Sequence, residues 1–401
     1  MEKIGIALIG LGCRGSFLIK RVFTKMKDVR VVAVSDSYAD RMDAAVQLIN
    51  QATGDTPVQE ADYRRVLERE DVAAVFIFTD WTTHIKIAIE AMQAGKAVGM
   101  EVGCAYSIEE CWDLVKTYER TKAPFMLLEN CCFDKMELLA TSLVRKGVLG
   151  KIVHASGAYG HDLREEIADG YLNRHYRKDN YIHRNCDNYP THEFGPIAKI
   201  LNINRGNRIL SIVSFASKSE GLKEFIKTHR PNSGDGELTF NQGDVITTMI
   251  KCANGETVSL KLETTLPRRY DREFYLSGTK GSFSQTTNSV FLDGDDEWAS
   301  LDKVKDTAAN FQDYLPSVWK NITEEDKKSG HGGMDGITIR QFIKCLKVGE
   351  EMPIDVYDAA TWLSIGCLSE QSIATGSVVY CPDFTNGQWV RRQPKDVIEL
   401  D

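Results

Sequence analysis

The chain predicts an α/β fold in two parts: an N-terminal domain with a doubly wound parallel sheet over 1–128, then an α+β domain over 129–401 built on an open antiparallel sheet. Three observations carry this expectation. An apolar run, Ile4–Ile9, leads straight into Gly10, Gly12 and Gly15, spaced G-x-G-x-x-G. Strand-like and helix-like runs then alternate as far as about residue 130. From Gly150 onward the runs instead alternate apolar and polar residues with period two.

Each element of the first part follows from its residues. Ile4–Ile9 reads as a buried parallel strand, and SFLIKRVF after the glycines reads as the opening of a helix. Gly10 allows a tight turn, Gly12 lets the backbone approach a pyrophosphate, and Gly15 lets the helix pack on the strand. The helix N-terminus offers N–H groups and a positive dipole end to phosphates. A second apolar strand, 29–36, ends in Asp36 about twenty residues past the array, where a carboxylate accepts hydrogen bonds from an adenosine ribose. Asp36 would repel a 2′-phosphate, so NAD is the expected cofactor of this Rossmann-type domain. The competing role for Asp36 is a helix N-cap. Next, 71–80 is a continuous apolar strand and HIKIAIEAMQAG a helix stopped by Gly95. KAVGMEV is a strand, IEECWDLVKTYERTK a helix, and 124–130 a strand. Ligands bind at the carboxyl ends of such strands, where Thr79, Asp80, Trp81, Glu101, Glu129 and Asn130 fall. For Trp81 and His84, helix capping and packing compete with a cofactor role.

At 401 residues the chain exceeds one core of ordinary size. A net charge of −8 gives no support to nucleic-acid or membrane-surface binding. No apolar stretch approaches the roughly twenty residues that span a bilayer. The N-terminus runs directly into a core strand, so no signal peptide is expected. None of the ten cysteines forms a C-x-x-C pair, and Cys111, Cys252, Cys345 and Cys367 sit inside apolar elements. Reduced, mostly buried thiols in a cytoplasmic protein are the expectation. Histidines and acids do not cluster at metal-ligand spacing, so no metal is expected.

In the second part, GKIVHASGAYG, RILSIVSFAS, DVITTMIKC, ETVSLKLETTL, EFYLSGTKGSF and SVFLDGD read as strands, separated by turns such as Ala-Asn-Gly-Glu. Two long polar connections, 162–189 and 303–333, read as loops and short helices over a site. DAATWLSIGCLSEQSIATG reads as an amphipathic helix stopped by Gly376.

A dinucleotide domain followed by an open antiparallel sheet resembles the Gfo/Idh/MocA oxidoreductases, which act mostly on sugars and polyols. Ordinary members carry E-K-P after the fifth strand, with the lysine beside substrate and nicotinamide. Here Glu101 is followed by Val102, and valine can neither give a proton to a substrate oxygen nor polarise it. GLGCRG, MLLENCC, GAYGHDLR, NYPTHEFGP, LNINRGNR, HGGMD and PDFTNGQW are similar to one branch, glycoside hydrolase family 109, the NAD-dependent α-N-acetylgalactosaminidases. In that family hydride leaves C3 of the sugar for NAD, and the ketone acidifies the C2 hydrogen. The aglycone is then eliminated from C1, water adds, and hydride returns.

The resemblance implies that Arg14, Gly15, Asp36, Trp81, His84, Glu101, Val102 and Asn130 hold NAD, together with the turn at Gly10 and Gly12. Tyr159, Arg177, Tyr189, His192 and Tyr270 would line the sugar pocket, with His331 on a loop closing over it. His192 stands where the wider family keeps its catalytic histidine and is expected to take the C3 hydroxyl proton. Structural roles compete at each position: a carbonyl-binding loop histidine at His192, core packing at Tyr159 and Tyr189, a solvated face at Arg177, turn support at His331. The family's tyrosine after E-N-x-C, its proposed base at C2, is Phe133 here. Either Tyr270 or His331 takes that proton, or the cycle is altered. The 162–189 connection is shorter than the family's usual form, which points to changed specificity. The alternatives are a net sugar or polyol dehydrogenase and a non-catalytic NAD-binding sugar sensor. The resemblance also implies a homo-oligomer paired through the exposed sheet face.

Overall fold

The computed structural model describes residues 3–400, in two compact units. One takes the residues up to Phe133 together with Asn321–Ala360; the other takes Asp134–Lys320 and the residues from Thr361 onward.

In the first unit, β1 (Ile4–Ile9), β2 (Val29–Ser35), β3 (Val58–Glu60), β4 (Ala74–Ile77), β5 (Ala97–Met100) and β6 (Phe125–Leu127) form one sheet. Their order is β3-β2-β1-β4-β5-β6, with every pairing parallel. Successive strands run outward from β1 in both directions, so the order reverses between β1 and β4, and a ligand crevice opens there at the carboxyl ends. All of β4 and β5 is buried, which is why these strands read as continuous apolar runs rather than alternating ones. The helix Ile108–Thr121 starts at a capping box of Ser107 and Glu110. Asn321–Ala360 completes this unit. Its helix Met334–Val348 sets Phe342 edge-on to Phe76 of β4 at 4.9 Å, and the Leu127 amide of β6 donates to the Ile354 carbonyl at 3.1 Å.

In the second unit, β7 (Ile152–Gly160), β8 (Ile209–Ala216), β9 (Val245–Cys252), β10 (Thr257–Glu263), β11 (Tyr275–Gly278), β12 (Gly281–Ser284), β13 (Ser289–Leu292) and β14 (Val379–Tyr380) form an open sheet. The order is β13-β12-β11-β7-β10-β9-β8-β14. Neighbours are antiparallel except β7 and β10, which run parallel with Leu260 opposite Gly157. The expected antiparallel sheet is therefore mixed at one seam. Period two holds: Ile246, Thr248 and Ile250 of β9 are buried while Thr247, Met249 and Lys251 are exposed. The helix Pro190–Ile200 packs against β7, where a Cβ on Gly157 would lie 2.2 Å from the Glu193 carbonyl oxygen. Only glycine admits that approach, and it seats the residues around His192 directly on the strand. The long helix expected near the C-terminus is Val356–Thr375, with Gly376 at φ 63° just beyond it. None of the described helices is long and apolar enough to cross a membrane.

Candidate active site

The glycine turn closes as the spacing demands. Gly10 has φ 91°, and a Cβ there would come within 2.6 Å of the Phe78 carbonyl carbon and the Thr79 nitrogen. A Cβ on Gly15 would sit 2.2 Å from the Gly10 oxygen, so these two glycines are required by the chain itself. Gly12 is different. The nearest atom to its Cβ would be Arg41 Nη1, at an ordinary 3.5 Å. The chain leaves that space open, at the N-cap of the helix Cys13–Arg21, and Gly12 brings no side chain to cap it. A cradle of this kind, beside a helix N-terminus, fits a pyrophosphate.

Asp36 follows β2 and accepts from the Leu11 amide at 2.7 Å and the Tyr38 amide at 2.9 Å. Both bonds fix the carboxylate beside the glycine turn. The N-cap of the next helix, Ala39–Thr53, is Tyr38 rather than Asp36. Arg41 lies 3.8 Å from Asp36 and 4.8 Å over the Tyr38 ring. At the end of β4, Asp80 caps the helix Trp81–Gln93 through the Thr82 amide. Trp81 is buried, and its ring occupies the space that a side chain at Gly103 would need. His84 is buried with Nε2 2.6 Å from the Thr79 carbonyl oxygen, and burial depresses its proton affinity. A neutral ring donating Nε2–H to that carbonyl follows.

Beyond β5, Glu101 accepts from the Val102 amide at 3.1 Å and from Arg14 Nε at 2.6 Å. Val102 itself is buried. Arg14 sends its two terminal nitrogens to both oxygens of Asp335, at 2.9 and 3.0 Å. Asn130 and His331 bond the same carboxylate, each at 2.7 Å. Burial opposes the charge on Asp335, but Arg14 and His331 outweigh it and hold the carboxyl far below its ordinary range. His331 thus belongs to the first unit, with Arg14 and Asn130. The sequence reading missed Asp335, although it closes the HGGMD motif.

The remaining predicted residues come together in the second unit. Tyr159 on β7 stacks on Tyr189 with ring centres 4.5 Å apart. His192, half-buried in the first turn of its helix, stands edge-on to Tyr159 at 5.4 Å and to Tyr189 at 4.8 Å. Tyr270, past β10, lies 6.4 Å from Tyr159. Arg177 sits 4.9 Å over the Tyr189 ring, with its Nε 2.9 Å from Glu166. It is buried, not part of a solvated face. His161, which the sequence reading did not single out, accepts or donates at 3.0 Å to the Tyr159 hydroxyl and stands edge-on to Tyr270 at 5.1 Å. Burial first, then the charge of Arg177, lowers its proton affinity. Aromatic faces rimmed by imidazoles and hydroxyls match a ligand with apolar C–H faces and hydroxyl edges.

Two buried supports flank this cluster. Arg272 lies 3.3 Å from the Tyr270 hydroxyl, 2.6 Å from Glu137 and 3.2 Å from Asp134. Asp187 and Glu193 bracket the Tyr189–His192 corner, both fully buried. Burial pushes the Asp187 carboxyl up to about 7, and burial and the neighbouring Asp187 push Glu193 well above its ordinary range. A proton held between them removes the repulsion of two charges. Phe133, fully buried in the turn Asn130–Phe133, offers no ionisable group.

Comparison with known proteins agrees with both halves. Residues 4–128 match the oxidoreductase family with an NAD-binding Rossmann fold, and residues 133–391 match the C-terminal domain of glycosyl hydrolase 109. A glycosyl hydrolase family 109 protein of Stenotrophomonas maltophilia is 36% identical, over 98% of this chain and 91% of its own. An alpha-N-acetylgalactosaminidase of Tannerella forsythia is 39% identical, over 84% of this chain and 75% of its own. Among solved structures, a levoglucosan dehydrogenase in complex with NADH and levoglucosan shares the fold, with a TM-score of 0.70 at 19% identity over 95% of this chain and all 100% of that one. A Rossmann domain of the NAD-binding type joined to a glycosyl hydrolase 109 C-terminal domain places the chain in glycosyl hydrolase family 109.

Proposed function

We propose that the protein is an NAD-dependent glycosidase of N-acetylhexosaminides or related glycosides, working by oxidation at C3, elimination across C1 and C2, addition of water and re-reduction. The observation that carries this reading is the cluster of Tyr159, Tyr189, His192 and Tyr270. It offers histidine and tyrosine for proton transfer, where an ordinary glycosidase uses two carboxyl groups. Four acids of the second unit near it are engaged elsewhere: Asp187 and Glu193 with each other, Glu166 with Arg177, Glu137 with Arg272.

Bound NAD supplies the hydride acceptor at C3 and returns the hydride at the end. Gly10, Gly12, Arg14, Gly15, Asp36, Trp81, His84, Glu101, Val102 and Asn130 form its site. His192 takes the C3 hydroxyl proton, and Tyr159, Arg177 and Tyr189 hold the sugar. Tyr270 takes the C2 proton in place of the hydroxyl missing at Phe133, its phenolate stabilised by Arg272 at 3.3 Å. His331 is the second candidate for that proton. The reading as a net dehydrogenase draws on one observation, the buried Phe133. We also assign the chain to the cytoplasm, on cysteines that lie mostly buried within its apolar elements. Self-association is assigned to the sheet face that exposes Phe215 and Met249.

With a nitrophenyl N-acetylgalactosaminide, product accumulates over many turnovers with no net NADH absorbance, and the released sugar carries solvent deuterium at C2. Stoichiometric NADH would identify a dehydrogenase instead. Binding of NAD and sugar without any turnover would identify a sensor.

Asp36 also decides the cofactor. A 2′-phosphate would meet its charge, so NAD binds more tightly than NADP. Asp36→Ala removes that repulsion and frees Arg41, raising the NADP-to-NAD affinity ratio by about 10- to 100-fold. Calorimetry that finds NADP preferred by the wild type would overturn the assignment.

A further inference from the structure

Asp335 has no exposed side-chain surface, and both its oxygens are filled, from two distant segments and from the turn just before it. Oδ1 accepts from Arg14 Nη2 at 3.0 Å and Asn130 Nδ2 at 2.7 Å; Oδ2 accepts from Arg14 Nη1 at 2.9 Å and His331 Nδ1 at 2.7 Å. The turn before it is strained. Gly330, His331, Gly332 and Gly333 are all left-handed, at φ 93°, 43°, 70° and 116°. His331 is the one residue among them with a Cβ, and that conformation sets its Cβ against its own backbone. Gly330 is fixed twice over, by its φ and because a Cβ there would lie 2.3 Å from Asp335 Oδ2. The Phe17 ring, on the helix that follows the glycine turn, meets His331 edge-on at 5.8 Å. A strained turn is thus anchored by one buried charge, and the same charge fixes the plane of the Arg14 fork.

We propose that Asp335 is a positioning residue that couples the 330–333 turn to the NAD site, so that bound cofactor and the ordered turn stabilise each other. The proposal rests on the NAD site assigned above. Three of the five N–H donors of Arg14 are committed, one to Glu101 and two to Asp335. An amide at 335 keeps one acceptor oxygen and sets an NH2 where the other stood, so one nitrogen of the Arg14 fork loses its acceptor, and either Asn130 or His331 loses its acceptor with it. The neutral group also gives up the charge that holds the rest of the fork and the strained turn. Whatever affinity NAD draws from an ordered Arg14 and Asn130, the turn draws back from NAD, because coupling between sites is reciprocal.

The test is hydrogen–deuterium exchange across 326–336 with and without NAD, alongside NAD calorimetry. In the wild type, NAD slows exchange in the turn. Asp335→Asn raises the NAD Kd by about 5- to 150-fold and abolishes the NAD-dependent slowing. His331→Ala leaves the Arg14 fork in place, so it keeps the fold and most of the NAD affinity, yet the turn no longer responds to NAD. It decides the matter if Asp335→Asn does not fold. An unchanged response to NAD in His331→Ala, or an unchanged Kd in a folded Asp335→Asn, overturns the coupling. A wild-type chain that binds no NAD overturns the cofactor reading, and the coupling with it.

Discussion

His192→Ala lowers turnover by about 10²- to 10⁴-fold, the ordinary cost of losing a general base, while NAD affinity changes little. The second half holds because every residue assigned to the cofactor lies in the first unit, and His192 lies in the second. The variant also keeps its fold. His192 is half-buried at the third position of the helix Pro190–Ile200, and that helix is seated by the Glu193 backbone against Gly157, not by the imidazole. Steady-state kinetics, calorimetry and a melting curve check the three parts. Stability depends on pH through a different residue. The Asp187 carboxyl is raised to about 7, so the fold favours its protonated form. Stability from that proton is complete below the ordinary carboxylate range, falls once the unfolded carboxyl ionises, and is lost by the time pH has climbed through about 7. Asp187→Asn removes that dependence. A His192→Ala enzyme with near-normal turnover would return the residue to a loop role.

Gly12→Val abolishes NAD binding in practice, by about 100-fold or more in Kd, roughly 2.7 kcal/mol, and leaves the melting temperature near that of the wild type. The backbone at Gly12 is extended, with φ −65° and ψ −164°, which valine adopts without strain. Its Cβ would meet only Arg41, at 3.5 Å, so the chain accepts the side chain and the cofactor does not. Gly15→Val gives the opposite pattern, since its Cβ collides with the Gly10 oxygen at 2.2 Å and the turn itself fails. Calorimetry paired with thermal melts distinguishes the two. Unaltered NAD binding by Gly12→Val would remove the cradle from the cofactor site.

Much of this was legible before any coordinates. The glycine turn and Asp36 are local, and the buried strands announce themselves as apolar runs. Period two along β9 and β10 marks one covered face. What stayed hidden depends on partners far away in sequence. β3 has three residues, none buried, and so no apolar signature. The parallel seam between β7 and β10 is written in neither strand, because residue alternation is the same in both directions. Asp335 looks like any acid in a helical first turn until Arg14, 321 positions away, is found on it. Nothing local marks Asp187 and Glu193; only the packing around them makes them a buried pair. The residues of the aromatic cluster were named from resemblance, and their stacking is the structure's addition.

The return of Asn321–Ala360 to the first unit bears on how the protein is made and recombined. When Phe133 leaves the ribosome, β6 has no Ile354 to bond, Phe76 no Phe342 to meet, and Arg14 no Asp335. Those partners arrive about 200–220 residues later, roughly 10–45 s at ordinary elongation rates. A piece cut after Phe133 would expose the surfaces they cover. For the same reason the nucleotide half cannot be exchanged between relatives as one contiguous cassette; a graft must carry two pieces of chain. The first unit is completed only after most of the second has been made.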